Sequence, residues 1–271
     1  MFSKKKLSKN LKINSIKANK KLGQNFIFDF NILEKIVKSA LPLKQNTVVE
    51  IGPGPGGLSR AILKYEPKEL ILIEIDRKFQ CLLTEMEEEF KNNKIKIIFK
   101  DFLDVNHREI SKNQIKIFSN LPYYVSTQIL FKILPLDNIS EVVFTFQKEV
   151  GLRLVAKPNT KNYSRLSVIT QYACNIKKIC TLPAKVFYPV PKVDSIVLKL
   201  SPKKNINKFV FYKMQTITKL AFGKRRKTLK NSLSKVKNIE YLLKKIEIDL
   251  NARAEELTVD QYAKLCKEIL N

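Results

Sequence analysis

The chain has 271 residues, 44% of them hydrophobic, which is enough for one large core or two modest ones and excludes a disordered composition. Lys and Arg number 51 against 25 for Asp and Glu, a formal net charge of +26, and the field of such a surface favours a polyanionic partner. Compositional drift toward Lys, Asn and Ile explains Lys in place of Arg, but not the shortage of acids. The four cysteines, Cys81, Cys174, Cys180 and Cys266, form no C-x-x-C pair and His107 is the single histidine, so no usual zinc set can be assembled and no metal is expected. Sparse cysteine use, no secretory signal and no apolar run near the roughly 20 residues that span a bilayer lead us to expect a cytoplasmic protein with no membrane partner.

Residues 1–21 hold eight lysines and no acid, with their few apolar residues scattered. They read as a basic tail that stays mobile until it meets RNA; an organellar targeting peptide is the competing reading, weakened by the lack of Arg. Ile32, Leu33, Ile36, Val37 and Ala40 then line one face of a helix. Near-continuous apolar runs follow at Thr47 to Ile51, Leu70 to Ile75, Ile95 to Phe99, Ile115 to Phe118 and Val142 to Phe146, as fully buried parallel strands require. Phe79, Leu82, Leu83 and Met86 give the segment after the second run its own helical face. Such alternation predicts an α/β fold with a doubly wound, mostly parallel sheet. After Pro183 the pattern changes to FYPVPKVDSIVLKL, in which two prolines two apart hold an extended segment before Val193 to Leu200 alternates like a half-exposed strand. From Ile206 the reading is helical. The expected organisation is a tail at 1–21, an α/β domain at 22–202 and a small, basic helical domain at 203–271.

The stretch EIGPGPGG, Glu50 to Gly57, ends the first strand and takes four of the seven glycines. Glycines there let the backbone turn tightly and approach a ligand. Gly52, Gly54 and Gly57 also satisfy G-x-G-x-x-G, with Glu74 about 20 residues on, so a dinucleotide fold is formally allowed. Three acids shift the choice. Glu50 precedes the first glycine, where a carboxylate faces a cationic ligand better than a pyrophosphate. Glu74 suits ribose hydroxyls, and Asp101 can accept from an adenine amino group while Phe102 covers the ring. Each acid alone is as well read as a strand-end cap or a solvated carboxylate; three at successive strand ends are not.

The fourth strand runs into FSNLPYYVST. An adenine amine is a poor nucleophile because its lone pair is delocalised, whereas a sulfonium methyl is a strong electrophile, so a catalyst has to orient the amine and needs neither metal nor strong base. The Asn120 side-chain oxygen and the Leu121 carbonyl can each accept one amine hydrogen, Pro122 stiffens the turn, and Tyr123 offers a face on which a base can stack. Alone, the tetrapeptide reads as an ordinary turn; on the fourth strand of this fold it points to transfer of a methyl group from S-adenosylmethionine.

Along nearly its whole length the chain resembles the KsgA-type rRNA adenine N6,N6-dimethyltransferases of the small ribosomal subunit. The matching stretches include KKLGQNFIFD (Lys20 to Asp29), VVEIGPGPGGL, IEID, NLPYYVST, FQKEVGLRL, YSRLSV, FYPVPKVDS and FGKRRKTLKNSL (Phe222 to Leu233). The resemblance implies a Rossmann-like methyltransferase sheet that binds S-adenosylmethionine and releases S-adenosylhomocysteine. It also implies that Asn25 and Ile27 close over a cofactor held by Gly52, Glu74, Asp101 and Asn120. Phe187 would stack on the flipped adenine opposite Tyr123. The implied reaction puts two methyl groups on each of two adjacent adenines in the 3′-terminal hairpin of small-subunit rRNA. Gly151 and Ser164 depart from the family's usual Ala and Gly, outside the catalytic positions.

Between Asp194 and Glu240 there are 13 Lys and Arg and no acid. Leu229, Leu233 and Val236 recur at helical spacing and leave Arg225, Arg226, Lys227 and Lys230 for a face that grips phosphates. The resemblance implies small-subunit rRNA in a pre-30S particle as the partner of this face, and a monomer is expected. Two rivals remain: a large-subunit rRNA adenine methyltransferase of the macrolide-resistance type, and a non-catalytic RNA-binding assembly factor. A nicotinamide-dependent oxidoreductase is a third, which has no use for NLPY or for the charge.

Overall fold

The computed structural model describes residues 18–19, 22–106, 110–111, 113–224 and 227–270. Most of the basic tail, His107, Arg225 and Arg226 lie outside them. The chain divides into two compact units, one of Met1–Lys148 with Lys177–Ser201, the other of Glu149–Ile176 with Pro202–Asn271.

The first unit is built on strands β2 (Thr47–Ile51), β3 (Glu69–Glu74), β4 (Ile95–Phe99), β5 (Ile115–Ser119) and β6 (Ile139–Gln147). β2 and β5 are buried along their whole length and β3 nearly so, whereas β4, at the sheet edge, is not. That is the burial that continuous apolar runs dictate. The sheet order is β4-β3-β2-β5-β6-β9-β7, with β7 at Cys174–Leu182 and β9 at Ser195–Pro202. The first five strands are parallel, and β9 runs antiparallel to β6, pairing Ser195 with Gln147 through Leu200 with Val142. Strand order reverses between β2 and β5, which opens a crevice at their carboxyl ends. The last two positions, with β9 inserted antiparallel between β6 and β7, differ from the wholly parallel dinucleotide sheet that the glycine loop alone allowed.

Helix α1 (Phe30–Lys38) precedes β2; the Asp29 side chain caps it by accepting from the Asn31 and Ile32 N–H groups, and Leu33, Ile36 and Val37 are buried. Gly57–Leu63 (α2), Gln80–Glu89 (α3) and Tyr123–Ile133 (α4) follow β2, β3 and β5. A two-stranded ribbon joins β1 (Phe26–Ile27) to β8 (Phe187–Tyr188), with Ile27 opposite Phe187.

The second unit takes up α6 (Arg165–Ala173), α7 (Lys208–Ala221), α8 (Leu229–Ser232), α9 (Ile239–Lys245) and α10 (Val259–Leu270), while α5 (Lys148–Leu154) begins at its boundary. Its core holds Val210, Phe211, Met214 and Ile217 of α7. The buried hydroxyls of Tyr163 and Tyr262 donate to the carbonyls of Leu257 and Ala254 at 2.9 and 2.8 Å. Residues 149–176 therefore pack with the C-terminal helices, where the sequence led us to expect a division at 202/203. The helix expected through Leu229, Leu233 and Val236 ends at Ser232; Leu229 and Leu233 are buried as expected.

Candidate active site

A cavity lies in the crevice at the carboxyl ends of β2, β3 and β5. Its lining includes Asn25, Ile27, Gly52, Gly54, Glu74, Asp101, Phe102, Asn120, Leu121 and Pro122 among the described residues. All eight cofactor candidates and three of the five catalytic ones thus meet in one place.

The glycine loop is held by Glu74. Its two carboxylate oxygens accept from the backbone N–H groups of Gly54 and Asp76, each at 2.9 Å, and burial raises its pKa even though these bonds favour the charged form. Gly54 has φ +53, and a Cβ there would stand 3.0 Å from the Phe26 ring. Glycine is the residue that allows both the backbone angle and the close approach.

Glu50 is 1% exposed and lines the same cavity. Its Oε2 has no hydrogen-bond partner among the described residues. Burial, with Glu74 nearby, pushes its carboxyl up to about 8. A carboxyl oxygen without a partner at such depth is costly, and a cationic ligand in the cavity would offset that cost. The residues present therefore fit a sulfonium cofactor with its free amino group.

Asp101 starts a single 3₁₀ turn over Phe102–Asp104, accepting from the Leu103 N–H at 2.8 Å. Lys132, in the third turn of α4, holds that turn through its carbonyls. Its ammonium donates to the carbonyls of Phe102 at 3.0 Å, Val105 at 2.9 Å and Leu103, and it lies 5.5 Å from the Phe102 ring centroid. All three protons are used, and burial lowers the lysine pKa. Lys132 was absent from the sequence reading. Its one local signal is a cation in the otherwise uncharged helix YYVSTQILFKI.

Residues 22–27 form a strap across this region. Asn25 donates from Nδ2 to the Gly23 carbonyl at 3.0 Å, and Gln24 from Nε2 to Asp76 at 2.9 Å. Phe26 meets Phe79 edge-on, with centroids 5.7 Å apart. The Asn25 carbonyl receives the Nδ2 donor of Asn120 at 2.8 Å. That bond commits the amide nitrogen of Asn120 and leaves Oδ1 as an acceptor.

Tyr123 and Phe187 are not among the residues lining the cavity. The Tyr123 hydroxyl is bonded to the Ser195 hydroxyl at 2.7 Å, and burial raises its pKa. Phe187 differs from the expected open stacking face: it is 3% exposed and belongs to the apolar core, because its ribbon pairing with Ile27 turns it inward. The ring presented to solvent is that of Tyr188, 61% exposed and 6.1 Å from Phe28. Of the basic residues expected to bind RNA, Lys227 is exposed and Lys230 lies 3.9 Å from Glu240; Arg225 and Arg226 lie outside the described residues. No group of three or more His, Cys, Asp or Glu among the described residues is arranged to hold a metal.

A family model for ribosomal RNA adenine dimethylase matches residues 15–271. The chain belongs to the ribosomal RNA adenine dimethylase family. Members are S-adenosylmethionine-dependent rRNA adenine dimethyltransferases, and the chain is an enzyme of that class. It is 44% identical over 268 residues to ribosomal RNA small subunit methyltransferase A of Phytoplasma australiense, covering 91% of this chain and 89% of the relative. With the protein of the same name from Pelagibacter ubique it shares 42% identity, covering 93% and 97%. Among solved structures, a dimethyladenosine transferase from Plasmodium falciparum superposes with a TM-score of 0.75 at 25% identity, over 88% of this chain and 94% of that one. The 23S rRNA methyltransferase ErmE superposes at 0.68 and 21% identity, over 91% and 100%, and shares the fold. No helix among the described residues is long and apolar enough to cross a membrane.

Proposed function

We propose that this dimethylase transfers methyl groups to the N6 amines of two adjacent adenines in the 3′-terminal hairpin of small-subunit rRNA, acting as a cytoplasmic monomer on a pre-30S particle. The observation that carries the catalytic reading is the bond from Asn120 to the Asn25 carbonyl, which leaves the Asn120 oxygen free to accept.

S-adenosylmethionine, when bound, supplies an electrophilic methyl group on a sulfonium. Glu50 gives the cation a counter-charge, Glu74 is placed for ribose hydroxyls, and Asp101 with Phe102 receives the adenine ring. Gly52 and Gly54 bring backbone close to the ligand, and Asn25 and Ile27 cover it. On the target side, the Asn120 oxygen and the Leu121 carbonyl each accept one hydrogen of the substrate amine, which draws the nitrogen toward a tetrahedral shape and directs its lone pair into the cofactor cavity. Orientation of this kind contributes up to roughly 7–11 kcal/mol in favourable reactions. Tyr123, held through its hydroxyl by Ser195, gives the base a face of fixed direction. A base that also stacks on Phe187 must displace part of the apolar cluster covering it. After one transfer the amine keeps a single hydrogen, so one of the two acceptors is released in the second round. Lys227 and Lys230, with Arg225 and Arg226, contribute phosphate contacts that weaken as salt rises.

The reading is tested by incubating the protein and labelled S-adenosylmethionine with small and large subunits from cells that lack the modification, then separating the nucleosides. Label in N6,N6-dimethyladenosine from small subunits is expected. Label from large subunits alone would move the enzyme to the resistance-type group.

A further inference from the structure

Beside the target tetrapeptide stands an aromatic ring that the reaction above does not use. Tyr124 is the second residue of α4 and is 61% exposed, yet it lines the cavity together with Asn120, Leu121 and Pro122. Its hydroxyl makes no hydrogen bond among the described residues, whereas those of Tyr123, Tyr163 and Tyr262 are each bonded.

The ring is braced. Gly23 has φ +59, and a Cβ there would lie 3.3 Å from the Pro122 Cβ and 3.7 Å from the Tyr124 Cδ1 and Cε1 atoms. At Gly23 the strap therefore passes one ring edge without a side chain, and the ring stays largely exposed.

Flipping an adenine from its stack leaves the neighbouring base without a partner, and an exposed aromatic face at the mouth of the pocket replaces it. Successive residues on a helix project about 100° apart, so one planar base cannot lie on both Tyr123 and Tyr124. A net charge of +26 draws a polyanion to the protein. We propose that Tyr124 is the stacking platform for a second nucleobase, the one flanking the target adenine. This rests on the functional reading above and adds a subsite to it.

The test compares Tyr124→Ala, Tyr124→Phe and Tyr124→Trp. Affinity for unmodified small subunits is measured by filter binding, and affinity for S-adenosylmethionine by calorimetry. Tyr124→Ala should weaken subunit binding by about 5- to 100-fold, the range that loss of one base–aromatic stack predicts. Phe and Trp should stay within about threefold of the parent and cofactor affinity within about twofold. Unchanged subunit binding in Tyr124→Ala would overturn the proposal. So would a matching loss of cofactor affinity, which would assign the ring to the cofactor, or a Phe variant as weak as the Ala variant. If the parent binds and methylates large subunits only, the small-subunit reading falls; the same three variants on large subunits then decide the stacking role.

Discussion

The two sides of the cavity are built from opposite chemistry. On the cofactor side, Glu50 and Glu74 are deeply buried carboxyls with raised pKa values, which a bound cation would complement. On the target side the lining groups are neutral, a side-chain amide, a carbonyl and a proline, with the amide fixed by its bond to the Asn25 carbonyl; the Tyr123 phenol, outside the lining, is fixed by the Ser195 hydroxyl. Charge selects the cofactor and direction prepares the amine. The two halves should therefore fail differently when disturbed.

The largest binding effect is expected from Glu74→Ala, which removes the acceptor for both the Gly54 and Asp76 N–H groups. Hydrogen bonds to charged groups contribute about 1.5–3 kcal/mol, so affinity for S-adenosylmethionine should fall about 10- to 100-fold in a calorimetric titration, with subunit binding preserved. A drop in subunit binding without loss of cofactor would break the division between the sides.

Lys132→Met probes the link between them, since Lys132 stands on the helix that begins with Tyr123 and holds the turn that presents Asp101 and Phe102. Cofactor affinity should fall about tenfold, the effect of one charge-assisted network lost, with Lys132→Arg retaining part of it. Equal loss in the Met and Arg variants, accompanied by an equal fall in melting temperature, would make the lysine a matter of stability alone.

Glu50 makes the cofactor side sensitive to pH. Its folded pKa of about 8 lies above the ordinary carboxyl value of 4.5, so the folded protein holds the proton longer than the unfolded chain. That contribution to stability is fully present below about 4.5 and is lost as pH rises toward 8. A cation in the cavity favours the ionised form, so S-adenosylmethionine should bind more tightly at pH 8 than at pH 6 and release protons in buffers of differing ionisation enthalpy. Glu50→Gln should flatten both trends; a pH dependence that survives the substitution would assign it elsewhere.

The smallest effect is expected from Ser195→Ala, which frees the Tyr123 hydroxyl. A lost net hydrogen bond costs about 1 kcal/mol, so the melting temperature should drop by a few degrees and turnover by less than tenfold. An activity loss as large as that of an Asn120 variant would give the tyrosine hydroxyl a direct part in the reaction.

What could be read in advance follows the range of the interactions. The five parallel strands were legible because burial on both faces demands continuous apolar runs, and the acids at their ends were legible because open α/β sheets bind ligands there. β7, whose sequence CNIKKICTL mixes exposed lysines into a strand, carries no such signal. Neither does the packing of residues 149–176 with the C-terminal helices. The Asn120 to Asn25 bond spans 95 residues and ends on a backbone carbonyl, and the Lys132 contacts end on carbonyls too. Carbonyls are common to every residue, so no pattern of side chains announces them. Phe187 was expected to stack on the target base opposite Tyr123; its burial and its pairing with a strand 160 positions earlier in the chain carry no local sequence signal.

A neutral, oriented Asn120 prepares the amine for transfer and does more for the reaction than for the affinity of either substrate. That role is tested most directly by measuring methyl transfer to small subunits, cofactor affinity and subunit affinity on the same preparations of the parent and Asn120→Ala. Loss of one oriented hydrogen-bonding partner in an active site costs about 10²–10³ in rate; transfer should fall at least that far, with subunit affinity within about threefold and any loss of cofactor affinity much smaller than the loss of transfer. Transfer that survives the substitution, or falls only in proportion to a lost affinity, would contradict it.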